Sequence, residues 1–140
     1  MLFRSMGAAN RIGKVLKLFM ALLLTTALMT PGHANAASNS CPKYEPLLRK
    51  HFPAKVVPQM SRIAYRESRC NHKSLSALRK NGRPDVGLLQ IQGSWATVTR
   101  LTCKKQDVIK ALLVAECNVK VARYLYDHGG LGHWRATSGK

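Results

Sequence analysis

Acidic residues are scarce in this chain. Its 140 residues include only six, Glu45, Glu67, Asp85, Asp107, Glu116 and Asp127, against 23 lysines and arginines. A supply this thin disfavours chemistry that needs several clustered carboxylates. Closely spaced cysteine pairs are missing as well. There is no C-x-x-C, so the four cysteines do not read as a zinc site. His51, His72, His128 and His133 show no ligand spacing, so no metal and no cofactor is expected. The basic residues are scattered and no nucleic-acid-binding motif accompanies them, which argues against a specific nucleic-acid partner. There are no internal repeats and no low-complexity stretch. The longest apolar run, Leu18–Met29, is too short to span a bilayer comfortably.

That run does fit an export signal. Arg4, Arg11, Lys14 and Lys17 precede it without an acid, and "PGHANAAS" follows with Ala34 and Ala36 in small-x-small positions. The pattern predicts a signal peptide over residues 1–36 and one small domain over 37–140. An uncleaved membrane anchor is the competing reading. The protein is therefore expected outside the cytoplasm, secreted or wall-associated, with the periplasm also open. An exported chain with Cys41, Cys70, Cys103 and Cys117 is expected to form two disulfides. Of three pairings, Cys41–Cys70 with Cys103–Cys117 closes two separate local loops and is favoured. Without the signal, 19 basic residues face six acids. Such a surface should adhere to polyanions, anionic cell-wall polymers among them. Charge for solubility alone is an equally simple explanation.

The pattern predicts a mainly α domain with at most a small β element. Residues 41–52 read as a short helix stopped by Pro53. Pro58–Arg69 reads as a helix with proline in its first turn. Asn71–Asp85 is a polar, turn-rich loop, and Val86–Ile91 a buried turn or short strand. Ser94–Leu101 is expected to be a helix capped by Ser94. Asp107–His128 reads as helical with a break near Ala115–Cys117, and Gly129–Gly130 ends it.

Glu67 stands out within "AYRESRCN". Helical spacing puts it on one face with Met60, Ile63 and Ala64, while Arg62, Arg66 and Arg69 project to the other side. No base occupies positions 63, 64, 70 or 71, where a helical ion pair would need one. A carboxyl on an apolar face holds its proton more tightly, as a general acid near neutral pH requires. A buried structural glutamate is the competing explanation. The second notable segment is "GLLQIQGSW", where one amide, Gln90, sits in an apolar run. Gly87 there permits a close approach or a positive φ. Asp85, just before it, is the one plausible second acid, although a turn role after Pro84 is simpler. Trp95 reads as core. Trp134 either packs the C-terminal tail or stacks on a ligand.

Taken together, E-S-x-x-N at Glu67–Asn71, the Ser74–Ser76 stretch and G-L-L-Q-I at Gly87–Ile91 resemble the lytic transglycosylase branch of the lysozyme-like superfamily. The helix "CNVKVARYLYDHGGLGHW" is similar to that of small secreted members, and the likeness covers about Cys41–Trp134. It implies a lysozyme-like single domain, monomeric, acting on peptidoglycan glycan strands. In that case Glu67 is the catalytic acid/base, and Ser68 helps organise the site. Gln90 would line the glycan groove, with Tyr124 on the helix that supplies an aromatic wall. The A-Y-N-A-G motif of larger members is absent, and their methionine after the leucine is Leu89. One carboxylate favours a transglycosylase that forms a 1,6-anhydro product. Hydrolysis with Asp85 orienting a water, and a non-catalytic cationic wall-binding protein of the same fold, are the alternatives.

Overall fold

The computed structural model describes residues 39–138; the expected signal over 1–36 lies outside them. A 3-10 turn at Pro42–Tyr44 leads into α1 (Glu45–His51). Another at Ala54–Val56 leads into α2 (Val57–Ser68), with Pro58 in its first turn as expected. Pro46 and Pro58 sit in the first turns of α1 and α2, where a residue needs no N–H partner. A long loop follows to the two-stranded hairpin β1 (Asp85–Val86) and β2 (Ile91–Gln92), paired Asp85 to Gln92 and Val86 to Ile91. The loop touches this hairpin once more through an antiparallel bridge between Leu75 and Val86. Three helices complete the domain: α3 (Ala96–Cys103), α4 (Val108–Leu112) and α5 (Ala115–Gly129), followed by a 3-10 turn at Gly130–Trp134. The domain is mainly helical, as the pattern predicted.

Two boundaries differ from expectation. Ser94 does not cap α3. Its hydroxyl donates to Gln92 Oε1 at 2.8 Å, and Trp95 takes the capping position without a side-chain bond. The break in the last helical stretch falls at Leu113–Val114, before Ala115. Asp107 caps α4 by accepting from the Lys110 N–H at 3.0 Å.

α5 is the centre of the packing, with α1, α3, α4 and the C-terminal turn all laid against it. Its buried side chains are Cys117, Asn118, Val119, Val121, Ala122 and Leu125. Leu48 of α1, Met60 and Ile63 of α2, and Leu88, Leu89 and Ile91 of the hairpin are fully buried beside them. Burying each such side chain contributes about 1.5–3 kcal/mol, which is how so short a hairpin is held.

The disulfides are Cys41–Cys70 and Cys103–Cys117, the sequential pairing. They close loops with separations of 29 and 14 residues. Loop-closure entropy gives about 3.5 and about 3 kcal/mol respectively. Cys41–Cys70 ties the segment just before α1 to the end of α2, where Arg69 and Cys70 both adopt positive φ. Replacing Cys41 and Cys70 together by serine is expected to lower unfolding free energy by about 3 kcal/mol in urea titrations. No loss would mean that the α2 end is held by its packing alone.

Candidate functional site

α2 presents the faces that its sequence spacing predicts. Met60, Ile63 and Ala64 are fully buried, Arg62, Arg66 and Arg69 are exposed, and Glu67 is half-buried between them. No base forms an ion pair with Glu67 among the described residues. Its Oε1 instead accepts a hydrogen bond from the hydroxyl of Thr137, 70 positions further along the chain. Burial raises the Glu67 pKa, against the lowering effect of the Thr137 bond. The negative charge of Asp85 adds to the rise, and Arg79 offsets part of it.

Ser68, the next residue, is buried and donates to the carbonyls of Ala64 at 3.0 Å and Leu88 at 2.8 Å. It therefore stitches α2 to the hairpin turn and fixes where Glu67 sits relative to that turn. The turn has two demanding residues. Gly87 has φ +79°, and a Cβ there would lie 2.3 Å from the Leu112 carbonyl oxygen and 2.4 Å from Asn118 Nδ2. Gln90 adopts φ +46° without being glycine, a conformation that costs about 1–3 kcal/mol and clusters at functional sites. Its amide nitrogen donates to the carbonyls of Gly87 at 2.9 Å and Ser74 at 3.3 Å.

Asn118 holds this turn from α5. It is fully buried, and its Nδ2 donates to the carbonyls of Val86 at 2.8 Å and Leu112 at 2.9 Å. Its Oδ1 accepts from the Leu89 N–H at 2.9 Å. One side chain thus satisfies two backbone groups of the hairpin and the Leu112 carbonyl at the end of α4.

Asp85 is a strand residue, not the turn residue that Pro84 suggested. The residue is only 8% exposed, and its carboxylate is forked by Arg79, whose Nε lies 2.9 Å from Oδ1 and 2.8 Å from Oδ2. Arg79 NH2 also bonds Oδ2. Arg79, Asp85 and Gln90 line a cleft of about 200 Å³ together with Ile91, Gln92, Trp95, Leu125, His133 and Trp134. Ligand pockets usually measure about 300–1,000 Å³, so this is one recess in an open surface. Glu67 does not line it, but the charges of its Asp85 and Arg79 reach Glu67.

Tyr124 lies elsewhere. It is exposed, stacks on His128 with ring centroids 4.0 Å apart, and does not line this cleft. Periodicity alone separates it from the cleft, because Val121, Ala122 and Leu125 carry the buried face of α5. Tyr126 packs edge-on against Phe52. The aromatic side of the cleft is Trp95, edge-on to His133, with Trp134 behind. Trp134 is buried, and its indole N–H donates to the Leu89 carbonyl at 2.9 Å. His133 gave no sequence signal, and Trp95 is half-buried at the cleft instead of sealed in the core.

Among the described residues, no group of three or more His, Cys, Asp or Glu is placed to hold a metal ion, and no helix is long and apolar enough to cross a membrane. What the arrangement offers is proton transfer from one carboxyl with raised proton affinity, beside a polar cleft with an aromatic side. Neither a family model nor a curated protein matches the chain.

Proposed function

We propose that the protein is a peptidoglycan-cleaving glycosidase, acting on the β-1,4 bond between N-acetylmuramic acid and N-acetylglucosamine. Glu67 is its general acid and base. The observation that carries this is the Glu67 carboxyl itself: half-buried, without a cationic partner among the described residues, and shifted toward its protonated form by burial. Protonating a glycosidic oxygen near neutral pH needs such a group.

Glu67 donates its proton to the bridging oxygen as the C1–O bond breaks. The acetamido oxygen of the muramic acid residue bonds to C1 and stabilises the developing cation. The C6 hydroxyl of that residue then attacks C1 and displaces the acetamido oxygen. Its proton passes to the Glu67 carboxylate. This leaves a 1,6-anhydro end and restores the acid. The cycle consumes no water and requires no second carboxylate. Asp85 favours this course over hydrolysis, because Arg79 engages both of its oxygens. A carboxylate so paired is a poor base or nucleophile but still contributes a fixed charge beside the site.

Gln90 lines the cleft and would contact the glycan. The exposed Arg62 and Arg66 of α2, with Arg69 just past its end, would hold the protein on anionic wall polymers. The disulfides fit an oxidising, exported setting. Incubating purified sacculi with the oxidised protein is expected to release soluble muropeptides. Protein that stays on the sacculi and releases nothing at any pH would instead be a cationic wall-binding module.

A further inference from the structure

We infer that Thr137 is the positioning residue of Glu67, a hydroxyl that holds the carboxyl in both of its protonation states. This rests on the assignment of Glu67 as the acid/base. The segment carrying Thr137 is strapped across α2 from several sides. Arg66 donates to the Thr137 carbonyl at 2.7 Å, and Gln59 to the Ser138 carbonyl at 3.0 Å. The Thr137 and Ser138 N–H groups both return to the Trp134 carbonyl, at 3.0 and 2.7 Å. Trp134 is itself pinned to Leu89. The Thr137 hydroxyl is therefore placed by a backbone that has little freedom to move away.

That hydroxyl has two acceptors within reach, Glu67 Oε1 and, at 3.4 Å, the Trp134 carbonyl. A hydroxyl both donates and accepts. Toward the carboxylate it donates. When Glu67 carries its proton on Oε2, Oε1 is the carbonyl oxygen of the acid and still accepts from the same hydroxyl. One donor thus holds Oε1 through both halves of the cycle, more strongly in the charged form, and leaves Oε2 to carry the proton. Oε1 is occupied by Thr137. Among the described residues Oε2 accepts no hydrogen bond, and no buried side-chain oxygen is left unpaired. Oε2 is thus accessible and is the atom that exchanges the proton with substrate.

Other charges also face the carboxyl. Asp85 and Arg79 act from β1 and the preceding loop, and Arg66 binds the strap beside it. Thr137→Val leaves all three in place while removing the hydroxyl. Kinetics on soluble glycan strands across pH should show kcat on the acidic plateau falling about tenfold, as expected for a misplaced acid. The basic limb should move to higher pH, because the hydrogen bond that favoured the carboxylate is gone. Thr137→Ser should restore both features, which a packing role for the threonine methyl would not allow. Titration of the Glu67 side-chain carbon by NMR in the folded wild type, Thr137→Val and Thr137→Ala gives a readout that needs no turnover. Its midpoint should rise in both variants, so either one suffices if the other does not fold. An active wild type with unchanged midpoint and limb in the variants would overturn the role of Thr137. A wild type that cuts nothing, while the midpoint still moves, would overturn the assignment of Glu67 and leave only the contact.

Discussion

Glu67→Gln is expected to reduce glycan cleavage by about 1,000-fold or more while leaving the fold intact. General acid–base assistance is worth about 100- to 10,000-fold, and in the proposed cycle one carboxyl supplies it to both halves. Glutamine has the same shape and retains an oxygen for the Thr137 hydroxyl, so the loss would report chemistry and not structure. Stability should show the opposite trend. The folded pKa of Glu67 is raised, chiefly by burial. The folded state therefore binds this proton more tightly than the unfolded chain does. Its favourable contribution is complete below the ordinary glutamate pKa and is lost as pH rises through the folded value. Glutamine does not titrate. Thermal unfolding should accordingly show the wild type losing ground to Glu67→Gln as pH rises through that window. The effect should be small, since the carboxyl is only half-buried. A mutant that is less stable than wild type at neutral pH would mark Glu67 as a structural anion, the competing explanation for its place on α2.

The largest stability effect is expected at Asn118. Asn118→Ala would leave the Leu89 N–H and the Val86 and Leu112 carbonyls buried without partners. Each such group costs about 1–3 kcal/mol. The sum of roughly 3 kcal/mol or more compares with a total stability of about 5–15 kcal/mol for a domain. Chemical denaturation should show this as a lower midpoint with little change in slope. Asn118→Asp should be no better. It keeps the acceptor for Leu89 but loses both donors and buries a charge. Gly87→Ala attacks the same junction from the other side, through a positive φ and a contact of 2.3 Å with backbone. Because Asn118 and Gly87 touch, the double variant should lose less than the sum of the two single losses. Full stability in Asn118→Ala would mean that the hairpin turn is held by apolar packing alone.

Local features of the chain were legible before any coordinates. The two faces of α2 follow from a 3.6-residue period, and the disulfide pairing follows from the economy of short loops. Gly87 announced a tight approach, because only glycine fits where another backbone comes so close. Residues whose partners are remote gave much weaker signals. Thr137 lies 70 positions from Glu67, in a short tail without periodicity, and no local rule connects the two. Asn118 resembles any polar residue interrupting an apolar helical face until the hairpin lies against it. Ser94 looked like a cap because serine before a helix usually is one, but Gln92 is close enough to compete for its hydroxyl. Tyr124 came from likeness to a family's helix, and the chain's own buried pattern turns it outward. Asp85 was visible as an acid near the site, while the Arg79 fork that sets its chemistry was not.

Mass spectrometry of the glycan ends released from purified sacculi tests the central claim most directly. Glu67 acting alone, with Asp85 held by Arg79, should yield products ending in 1,6-anhydro-N-acetylmuramic acid. Glu67→Gln should yield none. Reducing N-acetylmuramic acid ends would contradict the single-carboxylate mechanism and show that water is the acceptor. Anhydro products from a folded Glu67→Gln variant would contradict the assignment of Glu67 itself.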